Sequence, residues 1–180
     1  MREINYALSF AEKTASLFRG LDFFPLLWYN KGMKIFWTDG SANPNPGPGG
    51  YAVIEETLDG FKPVCLGSEE ESSNIRMEGS AIGAAIKYAA PEKCEIHTDS
   101  EFWKNVLEVW APGWEANGWK KKSGPIKNLE LVKAVYLLYQ KYQPEIIWTR
   151  GHVGTEGNEV ADEFANKARK GLTIEEWEKE

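Results

Sequence analysis

Cysteine is scarce in this 180-residue chain: Cys65 and Cys94 are the whole complement. Two thiols are too few for a disulfide framework, so a pair of free, buried cysteines is expected. Long apolar runs are missing as well. The longest, Phe23 to Tyr29, has seven residues and contains Pro25, against about 20 needed to span a bilayer. The N-terminus lacks a secretory pattern, because Glu12, Lys13, Arg19 and Asp22 interrupt its apolar residues and no small-residue cleavage site follows. A cytoplasmic location is therefore expected, with no membrane contact. Positive charge is short too. There are 21 Lys and Arg against 27 Asp and Glu, a net charge of −6, which at first argues against a nucleic-acid binder. Aromatic residues are not lacking: they make up 13% of the chain and include eight Trp, which excludes a disordered polymer. With 42% apolar residues, the chain can fill the core of one domain, with or without an appendage.

Residues 1–32 read as such an appendage. Ile4, Ala7, Leu8, Ala11, Ala15 and Phe18 fall at helical spacing, and Gly20 would end the helix before the apolar cluster from Phe23. The segment docks on its own domain, binds a partner protein, or is not native sequence at all, since Met33 stands where a shorter protein could start. From Lys34 the order of elements is clearer. A strand to Thr38 is followed by a Gly/Pro/Asn loop over 40–50. A second strand passes through Val53, a turn falls at Asp59-Gly60, and a third strand runs near Val64 to Gly67. Helices are expected over 77–90, 100–110, 128–142 and 155–170, with strands at 94–98 and 145–149. An antiparallel meander followed by alternating strands and helices predicts a mixed five-stranded α/β sheet, parallel in its second half and flanked by helices. Residues 171–180 form an acidic tail.

Three strand ends echo one another: Trp37-Thr38-Asp39-Gly40, His97-Thr98-Asp99-Ser100 and Trp148-Thr149-Arg150-Gly151-His152. In open α/β sheets ligands bind beyond the carboxyl ends of such strands. Asp39 and Asp99 are thus candidates to face one cleft, while either alone could be a helix cap or turn former. Glu78 and Asp162 lie on the apolar stripes of two helices, where an unpaired acid is costly. A buried salt bridge would explain one such acid. Four converging acids instead require raised pKa values or a divalent cation, and an all-oxygen set selects Mg2+ or Mn2+ over zinc.

These residues carry a resemblance. Thr38-Asp39-Gly40-Ser41 with Asn45-Pro46-Gly47-Pro48-Gly49-Gly50-Tyr51 resembles the opening of type 1 ribonuclease H. Asn74-Ile75-Arg76-Met77-Glu78, Thr98-Asp99-Ser100, Gly151-His152, Asn158-Glu159 and Ala161-Asp162 are similar to that family's later motifs, in order. The likeness covers about residues 33–170. It implies the ribonuclease H-like fold and hydrolysis of the RNA strand of an RNA–DNA hybrid, leaving 5′-phosphate and 3′-hydroxyl ends. It implies two Mg2+ ions, with Mn2+ as the alternative. Asp39 would bridge them, Glu78 and Asp99 would share one, and Asp162 would hold the other. His152 would be the family's mobile histidine, assisting proton transfer or product departure. His97, inside a strand, reads as structural.

The resemblance also assigns Gly40, Ser41, Asn45, Ser73, Asn74 and Arg76 to substrate binding. Ile75 departs from the pattern, since many relatives have a second Asn there, and Glu101 stands where some carry Gln. Between about 110 and 127, Trp110, Trp114 and Trp119 are interleaved with Lys120, Lys121, Lys122 and Lys127. This resembles the family's basic protrusion, in which lysines contact phosphates and aromatic faces pack on sugars. A monomer acting on the hybrid duplex is expected. The rival readings are a catalytically silent binding module on the same fold, a domain working within a larger assembly through residues 1–32, and another nuclease of the wider superfamily.

Overall fold

The computed structural model describes residues 33–151 and 153–177. The expectations for residues 1–32, for His152 and for the last three residues lie outside it. Strands β1 (Lys34–Ala42), β2 (Gly47–Thr57) and β3 (Gly60–Ser72) form the antiparallel meander. Strands β4 (Cys94–Thr98) and β5 (Glu145–Trp148) add to the other side of β1 in parallel, giving the order β3-β2-β1-β4-β5. This is the mixed five-stranded sheet expected from the sequence.

Strand alternation explains how the sheet is covered on both faces. Phe36, Val53, Ile96 and Ile146 point into one buried cluster with helix α1 (Asn74–Ala89) and helix α4 (Leu129–Tyr142). Their neighbours Trp37, Ala52 and Ile54 point the other way and meet Ala161 and Ala165 of helix α5 (Glu156–Arg169). Helix α1 starts at Ser73, whose hydroxyl accepts from the Arg76 amide at 3.3 Å, a side-chain cap for an otherwise unpaired donor. Its inward face is mostly Ala, Gly and Ile, so helix and sheet can approach closely.

Two elements differ from the sequence expectation. The expected loop over 40–50 is mostly strand, with only Asn43–Pro46 outside β1 and β2. Glycines in a strand weaken it unless another backbone must come close, and here it does. A Cβ on Gly50 would lie 2.2 Å from the Arg169 amide of α5. The helix expected over 100–110 is three pieces. Helix α2 (Glu101–Asn105) leads into a π-helical turn, Val106–Trp110, and then helix α3 (Ala111–Ala116). The Ala111 amide reaches back to Val106 O. Pro112 stands in the first turn of α3, directly after the π-helical turn. The tail carries one further short helix, α6 (Ile174–Trp177), with Trp177 edge-on to Phe164. Among the described residues no helix is long and apolar enough to cross a membrane.

Candidate active site

The sheet register brings the strand ends level. Thr38 is paired with Thr98 across β1 and β4, and Thr98 with Trp148 across β4 and β5. Asp39 and Asp99 are each the next residue, so both stand where the parallel pairing of β1 with β4 stops; Asp99 has left β4, whereas Asp39, expected at a strand end, is still inside β1 and paired with Ala52 of β2. Thr38 locks this register further, donating its hydroxyl to the His97 carbonyl at 3.0 Å. Asp39 is buried, and its Oδ1 accepts from the Gly40 amide at 2.7 Å.

Helix α1 delivers the third acid, and Gly40 permits it. A Cβ at position 40 would stand 2.1 Å from the Glu78 amide nitrogen, so any side chain there would push β1 and α1 apart. The Glu78 carboxylate accepts a short hydrogen bond from the Ser100 hydroxyl. Ser100 is itself fixed: its amide donates to Thr98 Oγ1 at 3.2 Å, and its Oγ accepts from the Trp103 amide at 3.3 Å. Trp148 donates its indole N–H to the Asp99 carbonyl at 3.1 Å. The connection after β5 lies against the same aspartate, since a Cβ on Gly151 would be 2.6 Å from Asp99 Oδ2. Asp162, on α5, accepts at Oδ1 from Asn166 Nδ2 at 3.0 Å.

The neighbouring acids act on Asp39 and Glu78. Burial pushes Asp39 well above the usual carboxyl range; Asp99, and to a lesser degree Asp162 and Glu78, push it further, against the Gly40 N–H. Burial also raises Glu78, with Asp99 adding to the shift and the Ser100 hydroxyl opposing it. Among the described residues no three His, Cys, Asp or Glu side chains are drawn together as a ready-made metal cluster. The donor set nevertheless fits a hard divalent cation: it is all oxygen, partly buried, and centred on a carboxyl whose charged form is disfavoured by its neighbours.

The other residues singled out in the sequence fall in two places. Near the end of β1, Ser41 donates to Asn166 Oδ1 at 2.9 Å. The Ala42 amide donates to Asn74 Oδ1 at 2.6 Å, and the Asn74 amide to Asn45 Oδ1 at 3.4 Å. Asn45 and Ser73 line one groove together with Trp110, Trp114, Lys121 and Lys127. Lys120 and Lys122 flank the adjoining cleft beside the two tryptophans. Lys121 Nζ lies 6.0 Å from the Trp114 ring. Two residues are placed differently. The Arg76 guanidinium is held by Glu69 through paired bonds of 2.7 and 3.0 Å. Trp119 turns inward, edge-on to Tyr136, and lines neither cleft. Ser100 enters the sequence reading only as part of the Thr98-Asp99-Ser100 motif, without a role of its own, and Asn166, one helical turn after Asp162, does not enter it.

Fold and site define a class: an α/β protein with acids gathered at the carboxyl edge of adjacent parallel strands and two more supplied by helices. The family model described as RNase H matches residues 31–170. The ribonuclease H of Dichelobacter nodosus is 41% identical over 143 residues, 78% of this chain and 93% of that protein. That of Granulibacter bethesdensis is 39% identical over 141 residues, 74% and 89% of the two chains. Among solved structures, LC9-RNase H1, described as a type 1 RNase H with the type 2 active-site motif, superposes with a TM-score of 0.66 at 27% identity. The superposition covers 80% of this chain and 76% of that one. The chain belongs to the ribonuclease H family, and its family and fold support a nuclease directed at the RNA of RNA–DNA hybrids.

Proposed function

We propose that this protein is an endoribonuclease that hydrolyses the RNA strand of RNA–DNA hybrids with two divalent cations, Mg2+ or Mn2+, leaving 5′-phosphate and 3′-hydroxyl ends. The observation that carries the reading is the buried Asp39, with three further acids bearing on its charge. Asp39 would be shared by both ions, Glu78 and Asp99 would hold one, and Asp162 the other. When bound, such a pair activates water and stabilises the leaving oxygen of an in-line displacement.

The protein's own part is positioning. Ser100 keeps Glu78 turned toward the sheet edge, and Gly40 keeps α1 against β1. Asn45, Asn74 and the backbone of the β1–β2 connection offer small polar groups suited to sugar hydroxyls, which distinguish RNA from DNA. The groove between Ser73 and the two tryptophans suits the other strand, with Lys121 and Lys127 meeting its phosphates. His152 is assigned proton transfer or product departure.

The test is cleavage of labelled RNA–DNA hybrid, duplex RNA, duplex DNA and single strands, with Mg2+ and with EDTA, followed by analysis of the new ends. The reading expects cutting of the hybrid's RNA strand alone, only with the cation. Equal cutting of duplex DNA, or undiminished cutting in EDTA, would overturn it.

A further inference from the structure

Asn166 has no part in the sequence motifs, yet all four hydrogen-bonding directions of its amide are used at the edge of the acidic site. Its Nδ2 donates to Asp162 Oδ1 and to the Asp162 carbonyl, both at 3.0 Å. Its Oδ1 accepts from Ser41 Oγ at 2.9 Å and from Arg169 Nη2 at 3.3 Å. Spacings of four and three residues along α5 put Asp162, Asn166 and Arg169 on one face of the helix.

A side-chain amide can be turned end for end with almost no change in shape, so its orientation must come from its partners. Arg169 decides it. A guanidinium has only donors, so Oδ1 must face Arg169, and the NH2 group must then face the Asp162 carboxylate. The reversed amide would set donor against donor at Arg169 and acceptor against acceptor at Asp162. Arg169 also reaches the Asn43 carbonyl at 3.5 Å, and Ser41 belongs to β1. The same amide therefore joins the acid on α5 to the end of β1 and, through Arg169, to the β1–β2 connection.

We propose that Asn166 is a positioning residue for Asp162, oriented by Arg169 and Ser41. It fixes one carboxylate oxygen in place and couples that carboxylate to the connection facing the hybrid. The proposal rests on the two-cation reading above, and the experiment separates the two. Mn2+ is titrated calorimetrically into hybrid-free full-length wild type, Asn166→Leu, Arg169→Met, Asp162→Asn and Glu78→Gln, with circular dichroism and melting temperature confirming the fold of each. Partners behind a ligand commonly alter metal affinity 10–100-fold, so Asn166→Leu should weaken the binding step that Asp162→Asn abolishes by about tenfold, or about 1.4 kcal/mol. Arg169→Met, which removes only the orienting donor, should weaken the same step by a smaller factor. The step that Glu78→Gln abolishes should keep its affinity in both variants, a distinction that general loosening of the fold would not produce. An unchanged constant in folded Asn166→Leu and Arg169→Met, or equal weakening of both steps, overturns the positioning role. Absence of any Mn2+ binding by wild type overturns the two-cation reading itself, and the proposal with it.

Discussion

Asp39 concentrates the chemistry at the scale of single residues. Its raised pKa means that the folded protein holds the proton more tightly than the unfolded chain does. The stabilising effect is complete below the ordinary carboxyl range and is lost as pH rises through the folded-state value. In cation-free solution, melting temperature should therefore fall as pH rises across that window. Asp39→Asn should flatten the slope and melt higher near neutral pH, by about 2–4 °C for each kcal/mol of relieved repulsion. Thermal melts across pH test this, and an Asp39→Asn protein that melts lower at neutral pH would contradict the electrostatic picture. Ser100 gives a second test. Ser100→Ala removes the hydroxyl that holds Glu78, and it should raise the Mg2+ concentration for half-maximal activity about 10–100-fold, as partners behind a ligand commonly do. An unchanged Mg2+ requirement would confine Ser100 to its bond with the Trp103 amide.

Secondary-structure elements show where the sequence is legible and where it is not. Cys94–Thr98 is the strand expected there, and the repeated Thr-Asp step marks the level at which the pairing of β1 with β4 stops, although β1 itself runs on past Asp39 to Ala42. The glycines between 40 and 50 mislead because local propensity treats them as breakers. The role of Gly40, Gly49 and Gly50, close approach by α1 or α5, is a long-range fact, while Gly47 meets only Pro44 of the neighbouring connection. The π-helical turn is equally hidden, since nothing in Val106–Trp110 distinguishes it from a helix before its packing is known. Asn166 is silent in the sequence because its meaning depends on Ser41, 125 positions away. Gly40→Ala tests the close-packed junction: a methyl group there meets the α1 backbone, so a loss of about 1–3 kcal/mol or more is expected from overpacking. Urea unfolding measures it, and an unchanged midpoint would mean β1 and α1 are not closely joined. Replacing Lys120, Lys121 and Lys122 by Ala should weaken hybrid binding and flatten its dependence on salt. The slope should fall by about 0.9 for each phosphate left without its lysine, the figure for a B-form duplex. An identical slope would make them ordinary solvated surface.

Considered whole, the molecule carries its negative charge purposefully. Of the net −6, four units are Asp39, Glu78, Asp99 and Asp162, and the rest of the chain is close to balanced. Two divalent cations would offset those four units, and Lys121 and Lys127 line the same groove as Asn45 and Ser73. The acidic total that first argued against a nucleic-acid enzyme is thus largely the charge of one site. Cations that bind only the folded protein stabilise it, by about 2.7 kcal/mol at a concentration 100 times Kd. Mg2+ should accordingly raise the melting temperature of wild type and raise that of Asp39→Asn much less. The most direct measurement is the rate of RNA cleavage in a labelled hybrid as Mg2+ is titrated, with wild type and Asp39→Asn side by side. Wild type should be silent without cation and rise to a plateau. Asp39→Asn should stay at least about a thousandfold lower at every concentration, a barrier difference of about 4 kcal/mol. A wild-type enzyme that cuts without cation, or an Asp39→Asn protein that approaches the same plateau at high Mg2+, would contradict the account.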